Sequence, residues 1–154
     1  MAEMDDLYQE VILDHNRQPR NFGPLGDANR SAEGHNPLCG DTIVLYLRVE
    51  DDVVTDVSFE GGGCAIATAS ASLMTEVLRG KSVAQARALF EGMMDMLTGD
   101  PTHAAEVAED LGKLAVFSGV REYPMRVKCA TLVWHTLQAA LEDLRQPVST
   151  EQQG

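Results

Sequence analysis

The chain has 154 residues, of which 44% are hydrophobic and 23% are charged, and this suits one compact domain with a substantial core. Its formal net charge of −12 disfavours nucleic acids and anionic membranes as partners, because such a surface repels phosphate groups. The sequence has no apolar run long enough to span a membrane, and its acidic start lacks the apolar segment of a signal peptide. We therefore expect a cytoplasmic protein without a nucleic-acid or membrane partner.

The first predicted element is an amphipathic helix that begins near Met4. It has apolar residues at positions 7, 8, 11 and 12, and acidic residues in its first turn. At its end lies His15, for which we expect a structural or solvated role rather than a role as a metal ligand. Prolines and glycines between residues 16 and 26 end the helix and predict an irregular connection.

Alternating apolar residues predict a β-hairpin with one buried face. The pattern runs through residues 41–50 and, after a turn at Asp51 and Asp52, through residues 53–59. A weaker pattern at residues 28–35 predicts a short edge strand. Three glycines at 61–63 end the hairpin, and a helix rich in small residues follows, which allows another element to approach it closely.

The second half of the chain is predicted to be helical. Ser82 and Gln85 have the spacing of a capping box, so a helix is expected to begin there and to continue through Met96. Further helical segments are expected at residues 102–111, 114–117 and 125–144. The polar tail at residues 146–154 is predicted to be disordered.

A methionine cluster and one histidine in these helices are potential metal ligands, but each has a simpler interpretation. Met93, Met94 and Met96 could form a sulfur-ligand cluster, but methionines on a helix usually fill gaps in a core. His103 lies in an acidic helix without a partner at ligand spacing. We expect the methionines to be part of the core and His103 to be solvated.

The three cysteines lie in segments whose local sequence favours a metal site. Their odd number argues against a disulfide framework in a reducing compartment. In the segment Asn36-Pro37-Leu38-Cys39-Gly40-Asp41, the proline and glycine shape a tight loop, and an extended backbone would put Cys39 and Asp41 on the same side. Cys64 follows three glycines at a helix start, where unpaired N–H groups and the helix dipole favour a thiolate.

Together these residues form a candidate set of four ligands, namely Cys39, Asp41, Cys64 and Cys129. Three thiolates and one further ligand are a common tetrahedral arrangement for zinc, and sulfur ligands also suit iron–sulfur clusters. The cysteines lack the close two-residue spacing of many zinc sites. Spacing alone therefore leaves open the alternative of two core cysteines and one exposed thiol.

The residues around the cysteines resemble a known family. Segments 36–41, 61–70 and 126–134 are similar, in this order, to the three cysteine motifs of the IscU/NifU-N family of iron–sulfur cluster assembly proteins, and the similarity extends to the opening helix and residues 16–23. The resemblance implies one α+β domain over residues 1–145 with an IscU/SufE-like fold. Such a fold has a small antiparallel three-stranded sheet, helices packed on one face, and three cysteine loops that meet at one end.

Two features are similar to the SufU branch of this family. Lys128 stands where the classical scaffolds carry a histidine ligand, and a helical insertion at about residues 80–99 lengthens the gap between the second and third cysteines. The resemblance implies zinc held by three cysteines and by Asp41, with Cys39 as the catalytic thiol that accepts sulfur. The implied partner is a SufS-like cysteine desulfurase.

Two functions follow from this resemblance. The first is a zinc-bound sulfur acceptor, whose thiolate attacks the outer sulfur of a persulfide by the logic of thiol–disulfide exchange. The alternative is a scaffold on which a nascent iron–sulfur cluster forms before it passes to downstream assembly or acceptor proteins. Asp41 can ligate iron as well as zinc, so it does not separate the two functions.

For four further residues near the cysteines, the sequence predicts whether they assist the metal site. Arg126 and Lys128 are expected to offset the net negative charge of a zinc ion with four anionic ligands, although cations at these positions also serve surface solubility. His35, four residues before Cys39, is a candidate reserve ligand. His135 follows Cys129 on a helix at a spacing that turns it away from the same ion.

Overall fold

A computed structural model describes residues 2–37, 40–142 and 148–149 of the chain. Its elements are, in chain order, helix α1 (Ala2–Arg17), strands β1 (Arg30–Asn36), β2 (Asp41–Glu50) and β3 (Val53–Gly62), helices α2 (Ala65–Leu78), α3 (Val83–Thr98) and α4 (Pro101–Asp110), a 3-10 helix (Gly112–Val120), helix α5 (Pro124–Leu141) and strand β4 (Val148–Ser149). None of the described helices is long and apolar enough to cross a membrane.

The predicted antiparallel sheet is confirmed. Its first three strands pair in the order β3-β2-β1, and the turn between β2 and β3 is made by Asp51 and Asp52, both with positive φ, as a tight hairpin requires. On β2, Ile43, Leu45 and Leu47 are fully buried while their neighbours are not, so one face of the sheet carries the core.

A fourth, two-residue strand extends the sheet beyond the prediction. Strand β4 pairs in parallel with β1 at Gly34 and His35, so β1 is not the edge strand that the sequence predicted. This strand comes from the tail for which we predicted disorder, and the other tail residues lie outside the described residues. So does Leu144, the predicted end of the last helix, since α5 ends at Leu141 and the following turn at residue 142.

The helices pack on the buried face of the sheet. Helix α5 lies across β1 and β2, α2 contacts β3 and α5, and α1 packs against α2. Small side chains make these approaches close. At Gly34 an added Cβ atom would lie 2.1 Å from the Thr136 hydroxyl oxygen, so only glycine lets α5 approach β1 here. The residues of α2 that the sequence marked as small, from Ala67 to Ser72, are all buried.

Helix α3 occupies most of the predicted insertion and is fixed at both ends. At its start the predicted capping box is present, because Ser82 accepts from the Gln85 N–H and the Gln85 side chain accepts from the Ser82 N–H. At its end the Arg121 side chain donates to the carbonyl groups of Met96 and Gly99 at 2.7 and 2.6 Å. These bonds anchor the helix to the segment that precedes α5.

The environments of the α3 methionines and of His103 on α4 distinguish between the roles considered for them. Met93 and Met96 are fully buried and Met94 packs against the core, which confirms the core interpretation. His103 is exposed, and its Nε2 lies 3.5 Å from a carboxylate oxygen of Asp95, so the solvated interpretation is also confirmed.

Candidate metal centre

Three of the four predicted ligands meet at one end of the sheet. Asp41 is the first residue of β2, Cys64 is the N-cap of α2, and Cys129 lies in the second turn of α5. One ligand atom from each of them lies within 4.8 Å of the others. Cys39, the fourth predicted ligand and the predicted sulfur acceptor, lies outside the described residues, two positions before Asp41 in the chain.

Asp41 is buried and oriented by the helix start beside it. The residue is 1% exposed, its Oδ1 accepts the Cys64 backbone N–H at 2.7 Å, and its Oδ2 lies 3.5 Å from the Cys64 sulfur. Gly63 makes this contact possible, because an added Cβ atom would lie 2.1 Å from Oδ1. The carboxylate therefore has one oxygen fixed by the backbone and the other beside the thiols.

Cys64 occupies a position that favours its thiolate. The residue is half-buried, and its sulfur accepts the Ala67 backbone N–H at 3.4 Å in the manner of a helix cap. A hydrogen bond with Cys129 lowers the pKa of Cys64, and the backbone N–H groups of Ala67 and Ile66 lower it further. Burial and the negative charge of Asp41 oppose this shift, but the pKa of Cys64 remains below its ordinary value. The predicted helix-start environment is thus present.

The sulfur of Cys129 is buried, with 4% of the residue exposed, and it accepts a hydrogen bond that the sequence analysis did not foresee. The donor is the side-chain amide of Asn36, whose Nδ2 lies 3.7 Å from the Cys129 sulfur. In the sequence, Asn36 stood out only as the first residue of the segment that contains Cys39. The available signal was a polar side chain at the last position of a strand whose alternate residues face the core.

A hydrogen-bond chain joins α2 to α5 next to the centre. The Ser70 hydroxyl donates to the carbonyl oxygen of Ala130 at 2.6 Å and accepts from the indole N–H of Trp134 at 3.2 Å. Ser70 and Trp134 are fully buried. The chain fixes the position of the residue next to Cys129 relative to the helix that carries Cys64.

The cations predicted near the centre lie on α5. Arg126 is exposed and stacks on Tyr123, with its guanidinium carbon 4.6 Å from the ring centroid. Lys128 is half-buried and directly precedes Cys129. A role for either residue in offsetting the charge of a bound ion stays a prediction.

No histidine of the described residues belongs to the cluster of Asp41, Cys64 and Cys129. His35 is half-buried and alternates on β1 with the buried residues Gly34 and Asn36, and of these Asn36 contacts the Cys129 sulfur. His135 packs edge-on against Phe90, with the ring centroids 5.6 Å apart, which confirms that it faces away. His15 is 5% exposed, and its Nδ1 lies 2.6 Å from the Ser72 hydroxyl oxygen, which confirms a structural role.

The donor set fits a metal ion of intermediate softness. Two thiol sulfurs and one carboxylate oxygen suit zinc or iron, whereas magnesium and calcium prefer oxygen ligands alone. Three convergent ligands also leave room for a fourth in a tetrahedral arrangement. The structure thus supports the predicted centre at the level of Asp41, Cys64 and Cys129, and the fourth position stays a prediction.

Comparison with known proteins agrees with the sequence motifs. A family model described as the NifU-like N terminal domain matches residues 7–145. The chain belongs to this family. The match includes all three cysteine segments, as well as α3 and the other helices between the second and third cysteines. The family that we predicted from the cysteine motifs is therefore confirmed.

Individual family members have names of two kinds. The zinc-dependent sulfurtransferase SufU of Bacillus subtilis (strain 168) is 41% identical over 137 residues, which cover 89% of this chain and 90% of that protein. The iron–sulfur cluster assembly scaffold protein IscU of Thermotoga maritima is 42% identical over 141 residues, which cover 92% of this chain and 96% of that protein. The names therefore include both functions that the sequence left open.

The fold is also similar to solved members of the family. A crystal structure of a SUF-system scaffold protein from Fervidobacterium islandicum AW-1 superposes with a TM-score of 0.77 at 38% identity, covering 86% of this chain and 94% of that one. The N-terminal NifU-like protein of Brucella abortus gives a TM-score of 0.77 at 27% identity, covering 91% and 95%. These similarities confirm the predicted α+β fold.

Proposed function

We propose that this protein is a zinc-bound sulfur acceptor in iron–sulfur cluster biogenesis, and that it takes sulfur from the persulfide of a cysteine desulfurase. The observation that carries the proposal is the convergence of a carboxylate and two thiols, from Asp41, Cys64 and Cys129, within 4.8 Å. The name of the Bacillus subtilis relative, a zinc-dependent sulfurtransferase, supports the choice of metal and of chemistry.

The residues of the proposed centre have three different roles: metal ligand, sulfur acceptor and compensating charge. Asp41, Cys64 and Cys129 would hold the ion, because each is buried or half-buried and each is fixed by a hydrogen bond. Cys39, which stands in the sequence between β1 and β2, is the proposed acceptor and the proposed fourth ligand. Bound zinc would keep the thiols ionised near neutral pH. Arg126 and Lys128 are proposed to offset the resulting negative charge.

The proposed transfer is an exchange between sulfur atoms without net oxidation. The Cys39 thiolate attacks the outer sulfur of the desulfurase persulfide, a new S–S bond forms on Cys39, and the S–S bond in the desulfurase breaks. The desulfurase cysteine leaves as a thiolate. The attacking sulfur has to enter the active site of another protein.

The proposal includes the setting of the reaction. We take residues 1–145 as one domain. We take the cytoplasm as its location, because three cysteines, an odd number that argues against a disulfide framework, suit a reducing compartment. A SufS-like cysteine desulfurase is the proposed donor. Downstream assembly or acceptor proteins would then receive the sulfur.

Desulfurase turnover tests the proposal. We expect the wild-type protein to raise the rate of alanine formation from cysteine, and Cys39→Ser to abolish this increase while it retains part of its zinc. Cys64→Ser serves as the comparison, because it should lose both the zinc and the stimulation. Full stimulation by Cys39→Ser would contradict the assignment of the acceptor.

A scaffold function is the second candidate, and the scaffold name of the Thermotoga maritima relative favours it. In that case the same ligands would hold a nascent iron–sulfur cluster. Anaerobic incubation with iron, cysteine and desulfurase distinguishes the two functions by visible absorbance. A stable cluster that passes to an apo-acceptor, with no stimulation of the desulfurase, would favour the scaffold.

A further inference from the structure

We propose that Asn36 is a positioning residue that makes Cys129 a permanent, weakly nucleophilic ligand of the metal centre. The inference rests on the proposed function, since it explains which thiols hold the ion and which is left to accept sulfur. It starts from two observations on a single side chain. Asn36 donates to a ligand sulfur, and it is fully buried.

Strand pairing and backbone conformation place the Asn36 side chain beside the centre. Asn36 is the last residue of β1 and pairs with Asp41, the first residue of β2, so both side chains lie on the buried face at the same end of the sheet. Pro37 disfavours a helical backbone at Asn36 and keeps it extended. Alternation along β1 then directs its amide toward α5, where Nδ2 lies 3.7 Å from the Cys129 sulfur.

The chemistry of this contact favours a metal-bound thiolate. An amide N–H stabilises the electron pairs of a thiolate more than those of a neutral thiol, because a hydrogen bond to a charged acceptor is the stronger one. Hydrogen bonds to ligand sulfurs lower their electron density and tune the metal they bind. They also make the sulfur a poorer nucleophile, since the same electron pairs attack the electrophile.

The second described cysteine has an equivalent donor. The Cys64 sulfur accepts the Ala67 backbone N–H at 3.4 Å, so both thiols that the structure brings together carry an N–H···S bond. One bond is supplied by the helix start and the other by a side chain. The two bonds make Cys64 and Cys129 ligands rather than acceptors of sulfur, in agreement with transfer at Cys39.

The Oδ1 atom of the Asn36 amide indicates that this residue does not serve to stabilise the metal-free fold. Its Oδ1 is buried and has no hydrogen-bond partner in the part of the chain that the structure describes. A buried amide with one unpaired atom destabilises the protein relative to an apolar side chain of the same shape. Asn36→Leu should therefore leave the metal-free protein as stable as wild type or more stable, and affect only the loaded centre.

The first test uses cadmium-113 in place of zinc in the wild-type protein. A proton–cadmium correlation spectrum reports N–H···S–Cd bonds through scalar coupling. We expect cross-peaks from the Ala67 backbone N–H and from the Asn36 side-chain N–H. The Ala67 cross-peak is the internal control. Its presence without a cross-peak from Asn36 would overturn the proposal.

The second test uses cobalt(II) as the metal and Asn36→Leu as the variant. Loss of the N–H donor should shift the sulfur-to-cobalt charge-transfer band to longer wavelength. In the zinc-loaded variant, alkylation of Cys129 by iodoacetamide should become roughly two- to tenfold faster, the factor expected for one hydrogen bond. Peptide mass spectrometry measures this rate for each cysteine.

Ser72→Ala is the control, because it removes a buried hydrogen bond to His15, away from the centre, but keeps the Asn36 donor and the ligands. We expect its band and its Cys129 alkylation rate to match wild type. An unchanged band and rate in Asn36→Leu, or lower stability of that variant in the metal-free state, would overturn the proposal. These readouts do not use the desulfurase, so a failure of the sulfur-acceptor function would appear separately, as unstimulated turnover by wild type.

Discussion

Helix α2 has a polar cluster near each end, and the two clusters differ in how their hydrogen bonds are completed. At the N-terminal end lies the ligand cluster, which consists of the proposed ligands Asp41, Cys64 and Cys129 together with Asn36. Toward the C-terminal end, residues of α2 meet the end of α1 and the connection after it. We call the second group, which consists of His15, Arg20, Asn21, Ser72 and Thr75, the α1–α2 polar network.

The α1–α2 polar network is complete without a ligand. The Ser72 hydroxyl oxygen accepts the Arg20 backbone N–H at 2.8 Å, which leaves its proton to donate to His15 Nδ1 at 2.6 Å. The imidazole then carries its own proton on Nε2, 3.5 Å from a carboxylate oxygen of Glu76. Burial lowers the pKa of His15, and the nearby Arg20 cation lowers it further, so the ring is neutral near pH 7.

The ligand cluster is instead rich in acceptors. A carboxylate and two thiols lie within 4.8 Å of one another, and the buried Oδ1 of Asn36 has no partner among the described residues. Ionisation of all three ligand groups without a cation would place like charges side by side at low exposure, which is costly. Buried polar residues on one helix thus serve the fold where their hydrogen bonds are complete, and indicate a ligand where they are not.

The largest expected difference between the two clusters is their response to metal removal. At a zinc concentration a thousandfold above the dissociation constant, binding contributes about 4 kcal/mol, which corresponds to about 10 °C in Tm for a chain of this size. We expect a chelator to lower the Tm of wild type by about this amount. Cys64→Ser and Cys129→Ser should bind less zinc and show no such drop. Metal analysis and calorimetry provide the measurements.

Ser72→Ala is the control for that experiment, because it breaks the α1–α2 polar network but leaves the ligands in place. It should lower the Tm with and without zinc and keep the response to chelator. If Cys64→Ser and Cys129→Ser retain full zinc, the ligand cluster is not a metal site and the comparison between the two ends fails.

Gly63→Ala should damage the ligand cluster from the backbone. The new Cβ atom would lie 2.1 Å from Asp41 Oδ1, and the φ of +143° at this position is strained for any residue with a side chain. We expect a loss of about 1–3 kcal/mol in stability together with weaker zinc binding. Equilibrium unfolding and zinc titration measure the two effects.

Gly26→Ala is the matched control, since a Cβ atom there meets no heavy atom within 4 Å. Its stability and zinc affinity should both match wild type. Wild-type zinc affinity in Gly63→Ala would show that the contact between Gly63 and Asp41 does not position the carboxylate.

Acid should weaken the α1–α2 polar network through His15. Because the pKa of His15 is lowered in the folded state, the unfolded chain binds the proton more readily, so stability is fully present above the unfolded pKa of 6.5 and falls as the pH drops below it. We expect a loss on the order of 1 kcal/mol between about pH 7 and 5 that is absent from His15→Asn. Denaturant titrations of both proteins at each pH, with equal zinc, isolate the contribution of His15. Parallel pH profiles would show that His15 is not the titrating group.

The smallest expected effect concerns the cation beside Cys129. Lys128→His replaces it by an imidazole, which suits both zinc and iron, and should change stability by no more than about 0.5 kcal/mol. We expect the variant to retain more iron–sulfur cluster in anaerobic reconstitution with desulfurase, measured by visible absorbance. A stable and transferable cluster on wild type, with no gain in the variant, would show that Lys128 does not separate the two functions.

The sequence predicted most of the fold because its patterns are local. Alternation on β2 and β3, the capping box at Ser82 and the glycines before Cys64 each depend on neighbouring residues, and each element formed as expected. The pairing of β4 with β1 was not predictable in this way, since a two-residue strand has no periodicity of its own. It depends on an exposed strand edge far away in the sequence.

The convergence of three candidate ligands was predictable from the sequence, but their supporting contacts were not. The cysteine motifs and the carboxylate beside Cys39 indicated Asp41, Cys64 and Cys129 as a set, and these residues meet in space. The hydrogen bond from Asn36 to Cys129 joins β1 to α5, and the bond from Ser70 to Ala130 joins α2 to α5. Contacts of this kind follow from how the helices pack on the sheet, which no local pattern encodes.

The most direct test of the account is to find which cysteine receives the sulfur. The zinc-loaded protein would be mixed with one equivalent of persulfidated desulfurase, without further cysteine, and digested for mass spectrometry after the free thiols are blocked. We predict one added sulfur on the peptide that contains Cys39, none on those of Cys64 and Cys129, and full retention of zinc in a parallel native spectrum. An added sulfur on Cys64 or Cys129, or no added sulfur at all, would contradict the division between fixed ligands and acceptor.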